Sequence, residues 1–597
     1  MAITKKDVLT YLQRIYPDSP TEKLYKRLSD SITKYKLERS NELRSWDKRL
    51  SKDWYKKQDH IFYVLYADLF AGSEKKGEKI KGLTSRLKYL KDLGVTNVHV
   101  LPCLKSSGDA GFAVDDYRKI DSKLGSMKDF EIFTSKAHKK GIKVTLDLVL
   151  NHTSDSHKWA KKLKKGDKKY RDFYIIDETK TGKAWPKLRD VFPEFAPGHW
   201  DYLPEIDEYV WATFYSKYPE KGRKYNDFAQ WDLNYGNFDV LIEMIENILF
   251  LANKGVDVFR FDAVPHMWKV KGTDCYSLAE VYDIVNIFYY VLHKVAPRSE
   301  ILVEACVPTK ELLKYFEKGQ STHLAYNFIL ASSLWDSLMR KDVGLLKKAV
   351  RLFLILPKKC TFLNFDVNHD EINFSHIRNL SSKGDAEKNL EDMFKYYTKD
   401  GKGVPFRFRK GVDKYGSAVS GTKWSLLGGD FEDSSEDLVI RKIMLLNAFK
   451  LTVSGVPMFY QGEELGLSND FSYLQDENKK GDSRFIKRIK ITDNIRNKIN
   501  KRGTKQYKIY NQLKKLISIR KKHKAFKLNN IKCIYSKDKG ILKLGNNDFL
   551  SMFNFSDKSK NVALKENYKS ILNNKRVKEG QVEVGAYEFK WLYKEII

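Results

Sequence analysis

The sequence predicts an α/β protein: a (β/α)8 TIM barrel with an N-terminal helical domain, two inserted loop-rich subdomains and a C-terminal antiparallel β-domain. Two observations predict the barrel. Eight apolar, strand-like runs follow one another along the 597 residues, and helical segments separate most of them, which is the pattern of parallel βα units. No GxGxxG turn follows the first run, so an open doubly wound sheet of the dinucleotide-binding kind is the weaker alternative.

The chain begins with a charged segment, residues 1–58, in which Leu, Tyr and Ile recur at helical spacing and predict a helical domain. The first part of the barrel follows at 59–152. Within it, residues 81–94 predict an amphipathic helix that ends at Gly94, because glycine tolerates the left-handed cap. The other elements predicted in this part are strands at 61–72, 95–102 and 143–152 and a helical segment around 128–140.

The βα alternation is interrupted twice, at 153–229 after the third strand and at 371–438 after the seventh. Both stretches lack a βα pattern and are predicted to be inserted subdomains. The barrel continues at 230–370 and 439–522, and short alternating strands predict the β-domain 523–597. The later barrel elements are predicted as a helix at 237–255, a strand that opens 255–269, and strands at 300–306, 324–328, 361–370 and 456–466.

Composition narrows the class of protein. The formal net charge is +32, from 109 basic and 77 acidic side chains, which raises the alternative of a nucleic-acid or membrane partner. The basic residues are dispersed along the chain, so we favour solvated charged faces and expect neither partner. No apolar run is long enough to span a membrane, the N-terminus lacks the apolar core of a signal peptide, and the five cysteines form no CxxC pair. These features predict a soluble, cytoplasmic protein without a disulfide framework.

Polar and charged side chains gather where the predicted strands end, the place where a (β/α)8 barrel builds its active site. Taken singly, each has a structural explanation, such as a helix N-cap for an aspartate. Three carboxylates, two histidines and an arginine at the strand ends of one barrel favour a common site instead. The side chains in question are Asp109, Phe112, Asp147, Asn151, His152, Arg260, Asp262, Glu304, Asn368, His369, Asp370 and Arg484.

The carboxylates suit the cleavage of a glycosidic bond. A retaining mechanism needs one ionised carboxylate as nucleophile and one protonated carboxyl as general acid, about 5–5.5 Å apart, with pKa values that their surroundings separate. Arg260 and Asp262 share one face of their strand, so we expect the arginine to keep Asp262 ionised as the nucleophile. Glu304, in the apolar run ILVEAC, is then the candidate for a raised pKa and for acid–base catalysis.

Four stretches carry a resemblance to a known family. LDLVLNH, VDVFRFDAV, ILVEA and NFDVNHD resemble the four signature regions of the α-amylase family of glycoside hydrolases and transglycosidases. Further stretches, among them YADLFAG, GDAGFAV, QWDLNY and DENKKGDSRF, look like the amylosucrases, the sucrose-acting subgroup. The likeness extends over about 60–490 and keeps the order of the family motifs.

The resemblance implies roles for the matching residues. Asp262 would attack the anomeric carbon of a glucosyl unit and form a β-glucosyl-enzyme. Glu304 would protonate the leaving oxygen and then deprotonate the acceptor. Asp370 would grip sugar hydroxyls and stabilise the oxocarbenium-like transition state. His152 and His369 would hydrogen-bond the glucosyl ring.

The resemblance also implies a closed glucosyl pocket. In amylosucrases an Asp–Arg salt bridge closes its bottom, and Asp109 and Arg484 stand at those positions, so one sugar ring should fit. Asp147 would support Arg260, and Phe214 would be an aromatic side chain of the pocket.

Three positions depart from the family pattern. Phe112 stands where a tyrosine platform is usual, Glu371 where a second Asp follows the first, and Lys402 where a loop arginine is expected. These changes concern sugar stacking and the acceptor side, whereas Arg441 matches an acceptor-side arginine. The basic stretch 215–228 looks inserted relative to the family, and we favour a solvated loop over an acceptor or phosphate site.

The sequence thus predicts a retaining transglucosidase of the amylosucrase kind, which cleaves sucrose and transfers glucose to an α-glucan or another sugar acceptor. Sucrose phosphorylase and sucrose or α-glucoside hydrolase activities stay open, since they differ in the acceptor. Intact Asp262, Glu304 and Asp370 disfavour a non-catalytic carbohydrate-binding protein. We expect no cofactor and no metal, although many α-amylases bind calcium through the asparagine that matches Asn151, and we expect a monomer or homodimer.

Overall fold

A computed structural model describes residues 3–185, 187–189, 191–192, 195–382, 384–406, 418–477, 479–526 and 531–594. At its centre, eight parallel strands close into a barrel in which each strand pairs with the barrel strands before and after it in the chain. This architecture confirms the predicted fold class. The strands are β1 Phe62–Leu65, β2 Asn97–Val100, β3 Lys143–Val149, β4 Val258–Asp262, β5 Glu300–Val303, β6 Leu324–Tyr326, β7 Thr361–Asn364 and β8 Val456–Tyr460.

The register of the barrel places consecutive strand ends side by side. Arg260 of β4 is level with Asp147 of β3 and with Leu302 of β5. Phe62 of β1 pairs with Met458 of β8, which closes the sheet. Because all eight strands run in the same direction, the side chains that follow them meet at one end of the barrel.

Amphipathic helices surround the barrel and bury their apolar faces against it. The helix Lys79–Leu93 ends at Gly94, whose φ of 102° is the left-handed conformation that the sequence predicts. Leu83 and Leu87 of this helix are completely buried. Further helices between barrel strands include Met127–Lys139, Phe238–Ala252, Ala279–Val295, Thr309–Leu312, Phe328–Arg340, Gly344–Arg351 and Glu436–Thr452, and the helix Lys505–Lys522 follows β8.

Three helices precede the barrel: Lys5–Ile15, Thr21–Glu38 and Asn41–Arg49. Trp46 donates from Nε1 to Asp257 Oδ1 at 2.6 Å, and Asp257 directly precedes β4. The third helix therefore lies at the N-terminal end of β4, whereas the first two contact barrel helices, where Arg14 pairs with Asp283 and Arg27 with Asp239.

Two regions between barrel elements carry short strands of their own. Both regions follow the C-terminal end of a barrel strand, so they stand around the mouth of the barrel. After β3 the strand pairs are His152–Ser154 with Gln230–Asp232 and Trp200–Leu203 with Glu208–Trp211. After β7 the strands are Ile372–Asn373, Val404–Phe406 and Ala418–Ser420, and a helix spans Ala386–Thr398.

The C-terminal part of the chain forms antiparallel sheets, which confirms this element of the predicted fold class. Trp591 is completely buried and donates from Nε1 to Thr452 Oγ1 at 2.7 Å, so the sheet is anchored to a barrel helix. Within the described ranges, none of the helices has the length and apolar character needed to cross a bilayer. The strands are Lys532–Ile534, Ile541–Gly545, Phe549–Asn554, Lys560–Leu564, Tyr568–Ser570, Arg576–Val577, Gly580–Val584 and Phe589–Lys594.

Candidate active site

A cavity of about 540 Å³ opens at the C-terminal ends of the barrel strands. Small-molecule sites occupy about 300–1,000 Å³, so the cavity is large enough for a sugar and an acceptor. Most of the residues that the sequence singles out line it together, although the chain separates them widely. They are Asp109, Phe112, His152, Phe214, Arg260, Asp262, Glu304, Asn368, Asp370, Glu371 and Arg484.

Arg260 is the charged centre of the site. It is 2% exposed, and its Nη1 contacts Asp262 Oδ1 and lies 3.0 Å from Asp147 Oδ1. Its Nη2 lies 3.7 Å from Glu304 Oε1. One guanidinium therefore bridges both candidate catalytic carboxyls, an arrangement in keeping with the short carboxyl separation of a retaining site.

The acidity of Asp262 differs from the expectation. Burial raises the pKa of its carboxyl to about 8; Arg260 lowers the pKa, and the nearby Glu304 and Asp147 raise it. Three carboxyls share a single guanidinium, so Arg260 does not compensate for the burial of Asp262. Arg260 lowers the pKa of Asp262, the direction that the sequence predicts, but burial and the two neighbouring carboxyls raise it by more. The sequence does not show how many carboxyls converge on the arginine.

Glu304 follows β5 and is held by the backbone of the neighbouring strand. The N–H of Ala263 donates to Glu304 Oε2 at 2.9 Å. Ala263 has a φ of 50°, a left-handed conformation that is uncommon for a residue with a Cβ atom. The strained residue directly after Asp262 thus fixes the position of Glu304 relative to the nucleophile. Cys306 Sγ lies 3.9 Å from Glu304 Oε1.

Asp370 completes the set of three carboxylates. Its Oδ2 lies 3.1 Å from His369 Nε2 and its Oδ1 lies 3.4 Å from Arg484 Nη1. Burial favours the neutral acid, but the guanidinium groups of Arg484 and Arg260 hold the pKa of Asp370 below its ordinary value. His369 itself lies behind the cavity wall, where its ring stacks on Phe112 with centroids 6.1 Å apart.

A cluster of charged side chains around Arg484 lines part of the cavity. Arg484 Nη2 lies 3.6 Å from Asp109 Oδ1, which is the pairing that the sequence resemblance implies. Two further partners were not foreseen: Arg484 Nε lies 2.8 Å from Asp482 Oδ1, and Gln230 donates to Asp109 Oδ2 at 2.9 Å. Burial raises the pKa of Asp109 to about 6. Asp482 could have been found from its place two residues before Arg484, whereas Gln230 gives no such signal.

Aromatic side chains and a neutral histidine form the side of the cavity. His152 and Phe214 have ring centroids 5.3 Å apart, and Arg260 lies over the Phe112 ring at 5.7 Å. Burial lowers the pKa of His152 to about 4, so its imidazole is neutral at physiological pH. Glu371 also lines the cavity, and burial and Asp370 raise its pKa to about 7.

Two residues of the predicted site lie elsewhere. Lys402 places its ammonium over the Tyr396 ring at 4.4 Å, and Arg441 is exposed on the helix Glu436–Thr452. Neither is among the residues that line the cavity. Both residues are predicted only from short family motifs outside the barrel strands. A small change in loop length there is enough to move a side chain out of the site. The inserted stretch 215–228 also contributes no described side chain to the lining.

The mouth of the cavity contains residues that the sequence did not reveal. They belong to the two inserted regions and to loops after the strands, where no strand end marks them. Seven of them also line a second cavity of about 700 Å³ that adjoins the first. The shared residues are Arg189, Tyr276, Cys306, Asn373, Ser375, His376 and Arg378.

Asn151, the asparagine that matches a calcium ligand in many α-amylases, contacts a cation of the chain itself. Lys269 Nζ donates to Asn151 Oδ1 at 3.0 Å and to the carbonyl of His266, and it lies 2.8 Å from Asp232 Oδ2. The Lys269 side chain is 2% exposed. Among the described residues there is no group of three or more His, Cys, Asp or Glu side chains that could hold a metal ion. The lysine ammonium thus takes the oxygen ligands that a hard cation would use.

Replacing Lys269 by methionine is expected to destabilise the fold by about 3–5 kcal/mol, because buried Asp232 then loses its cation. The free energy of unfolding in urea measures the effect. A Lys269→Met/Asp232→Asn double variant should recover part of the loss. Equal losses in the single and double variants, or a lower melting temperature of the wild type in EDTA, would contradict this assignment.

Comparisons with known proteins agree with the fold. A family model described as the catalytic domain of α-amylase matches residues 64–406, more than half of the chain. A model described as the C-terminal domain of β-galactosidase matches residues 544–590.

The similar proteins include synthases and phosphorylases whose names refer to different sugars. Trehalose synthase of Thermus thermophilus is 30% identical over 71% of this chain, which spans 40% of that protein's length. Glucosylglycerate phosphorylase of Escherichia coli (strain K12) is 24% identical over 98% of this chain and 100% of its own. The crystal structure of sucrose 6F-phosphate phosphorylase from Thermoanaerobacter thermosaccharolyticum has a TM-score of 0.66 at 22% identity and covers 87% of this chain and 98% of its own.

Proposed function

Because the chain belongs to the α-amylase family, we propose that it is a retaining α-transglucosidase that takes one terminal glucosyl unit from sucrose or a related α-glucoside. The closed end of the cavity carries this proposal. Arg484 lies near both Asp109 and Asp370, and we infer that this bridge stops a sugar chain from continuing beyond the nucleophile. Such a pocket favours a terminal glucosyl unit over an internal bond of a polymer.

The two bridged carboxyls supply the chemistry. Asp262 attacks the anomeric carbon while the bond from that carbon to the leaving oxygen breaks, and Glu304 gives its proton to the leaving oxygen. In the second half-reaction Glu304 takes the proton of the acceptor hydroxyl, whose oxygen replaces Asp262 at the same carbon. Arg260 contacts Asp262 and offsets the negative charge of this carboxylate before attack and after release.

Asp370 and the neutral His152 then serve the sugar ring. The carboxylate of Asp370 is held ionised by Arg484 and Arg260, so it can stabilise the positive charge that develops on the ring. The neutral imidazole of His152 lines the cavity and can donate or accept a hydrogen bond with a sugar hydroxyl. The Phe112 ring supplies an apolar face beside them.

The pH dependence of kcat/KM follows from the raised pKa of Asp262. The nucleophile must be ionised, so kcat/KM for α-glucosyl fluoride should rise with pH to a plateau, with a midpoint near 8. This donor isolates the nucleophile because fluoride leaves without a proton. Initial rates of fluoride release are measured from about pH 5 to about pH 9. The fold is expected to persist over about this range. A profile that is flat from pH 5 upwards would contradict the raised pKa.

Sucrose as donor and an α-glucan as acceptor are the finer part of the proposal. They are supported by the likeness of the sequence motifs to amylosucrases. Transfer requires that a sugar hydroxyl reaches the glucosyl-enzyme before water does, and the adjoining cavity of about 700 Å³ offers room for such an acceptor.

Phosphorolysis is a second candidate, which the guanidinium of Arg189 favours. Arg189 lines both cavities; only its Nε is engaged in a described hydrogen bond, 2.8 Å from Asp274 Oδ2. Its guanidinium also lies over the Tyr276 ring at 4.2 Å. Asp274 and Tyr276 together therefore hold the guanidinium in one orientation. A guanidinium fork matches the geometry of phosphate or carboxylate oxygens. The relatives that are glucosylglycerate phosphorylases make this acceptor class worth a direct comparison.

One experiment separates the candidates. The protein is incubated with sucrose, with and without inorganic phosphate, and fructose, free glucose, glucose 1-phosphate and oligosaccharides are counted. A parallel set replaces sucrose with glucosylglycerate. Fructose in excess of glucose together with growing oligosaccharides supports the transglucosidase. Glucose 1-phosphate that forms only with phosphate supports phosphorolysis, and equal amounts of glucose and fructose support hydrolysis.

A variant of the mouth adds a control. Arg189→Leu should raise the KM for phosphate in phosphorolysis but leave fluoride release from α-glucosyl fluoride unchanged, because Arg189 is not needed for attack by Asp262. Arg223→Leu removes a loop arginine that pairs with Glu220 outside the cavity lining, and it should change neither rate. No turnover of either donor by the wild type would refute the proposed donors.

A further inference from the structure

His99 lies in β2 and is buried beside a carboxylate of the active site. Its Nε2 lies 2.6 Å from Asp147 Oδ2, and both side chains are completely inaccessible to solvent. The surrounding sequence, VTNVHVLP, is otherwise largely apolar, and an aliphatic side chain would fill this position without a polar partner. A buried imidazole and a buried carboxylate are costly to desolvate, so the presence of this pair inside the barrel needs an explanation.

Asp147 connects this pair to the nucleophile. One carboxylate oxygen faces His99, and the other lies 3.0 Å from Arg260 Nη1. The same Nη1 contacts Asp262. Burial would raise the pKa of Asp147, but His99 and Arg260 together hold it below its ordinary value. Asp147 is therefore an ionised carboxylate that directs one oxygen to His99 and the other to Arg260.

We propose that His99 is a positioning residue of the glucosyl-transfer reaction. By donating from Nε2 to Asp147 it fixes the plane of that carboxylate, and thereby the direction in which Arg260 holds Asp262. The inference rests on the proposed function for the identity of the nucleophile. His99 itself touches neither the sugar nor the reacting atoms.

The tautomer of His99 agrees with this role. Nδ1 has no hydrogen-bond partner among the described residues, so Nε2 is the ring nitrogen whose hydrogen can be donated to Asp147. His369, Cys103 and Tyr326 also face Asp147 or Arg260. Burial keeps them neutral: it lowers the pKa of His369 to about 3 and raises the pKa values of the Cys103 thiol and the Tyr326 hydroxyl.

Three variants of β2 test the proposal with α-glucosyl fluoride, whose leaving group needs no protonation. His99→Leu removes the donor, and His99→Gln keeps an N–H within reach of Asp147. Asn97→Leu is the matched structural control, because Asn97 accepts a buried hydrogen bond from Thr145 Oγ1 at 2.6 Å between the same two strands. The kcat and KM for fluoride release, the melting temperature and the pH profile are measured for each variant.

The expected result is a split between stability and catalysis. His99→Leu should lower kcat about 10- to 100-fold, the usual loss for an outer partner of an active-site group, with little change in KM. Its pH profile should change, since Asp147 loses a donor that keeps it ionised. His99→Gln should restore most of kcat, and Asn97→Leu should lower the melting temperature but not kcat.

Several outcomes would overturn the proposal. They are wild-type kcat in His99→Leu, or the same loss of kcat in Asn97→Leu and His99→Leu at the same loss of stability. If His99→Leu does not fold, His99→Asn replaces it, since its shorter amide cannot reach Asp147; equal rates for His99→Asn and His99→Gln would then count against the role. Failure of the proposed function is seen separately, as a wild type that releases fluoride but uses neither sucrose nor glucosylglycerate. A wild type that releases no fluoride would refute both.

Discussion

Replacing Asp262 by asparagine is expected to abolish turnover, with kcat at least about 10³-fold below the wild-type value, or about 4 kcal/mol of lost transition-state stabilisation. The amide cannot form the glucosyl ester, and Arg260 loses its closest carboxylate. Initial rates of fructose or fluoride release measure the loss. Circular dichroism and thermal unfolding check that the fold persists, as expected for a near-isosteric change at the rim of an intact barrel.

The matched variant Glu304→Gln distinguishes the two carboxyls. It should lose turnover of sucrose to a similar degree, because fructose leaves only with a proton from Glu304. With α-glucosyl fluoride, Glu304→Gln should keep glucosylation of the enzyme, whereas Asp262→Asn should stay inactive. The opposite pattern would exchange the two roles, and near wild-type rates in either variant with sucrose would remove that residue from the mechanism.

The barrel could be predicted because its signal is repeated along the chain. Each buried strand reads as an apolar run, and each amphipathic helix presents one apolar face, so the period of the pattern identifies the element. The catalytic carboxyls follow from the same signal. Asp262, Glu304 and Asp370 each stand at or just after a strand, and strands that run in one direction must bring them together.

The features of the site that could not be predicted from the sequence depend on distances between residues that are far apart in the chain. The pKa of Asp262 is set by the number of carboxyls that share Arg260, and that number appears only when β3, β4 and β5 are side by side. The contact of Lys269 with Asp232 likewise joins the loop after β4 to the strand Gln230–Asp232 of an inserted region, and the sequence does not show that the two are neighbours. Arg441 was placed in the site by motif likeness alone, and the helix that carries it turns the side chain to solvent.

Arg484→Lys is expected to lower kcat/KM for sucrose about 100-fold, which corresponds to about 2.7 kcal/mol, with a much smaller effect on stability. Lysine keeps the positive charge but not the fork, so it cannot reach Asp109 and Asp370 at once, which lie on two different nitrogens of Arg484. The closed end of the pocket then no longer fixes a terminal glucosyl unit, and Asp370 loses a partner that keeps it ionised.

Arg488→Lys supplies the comparison that makes this prediction specific. Arg488 is buried in the same turn and lies 3.6 Å from Asp482 Oδ2, but it is not among the residues that line the catalytic cavity. Both substitutions remove a guanidinium from the same carboxylate cluster, so their melting temperatures should fall by similar amounts, and only Arg484→Lys should lose kcat/KM. Equal losses of activity in the two variants would mean that the cluster around Asp482 only stabilises the fold, and that the pocket is closed by other residues.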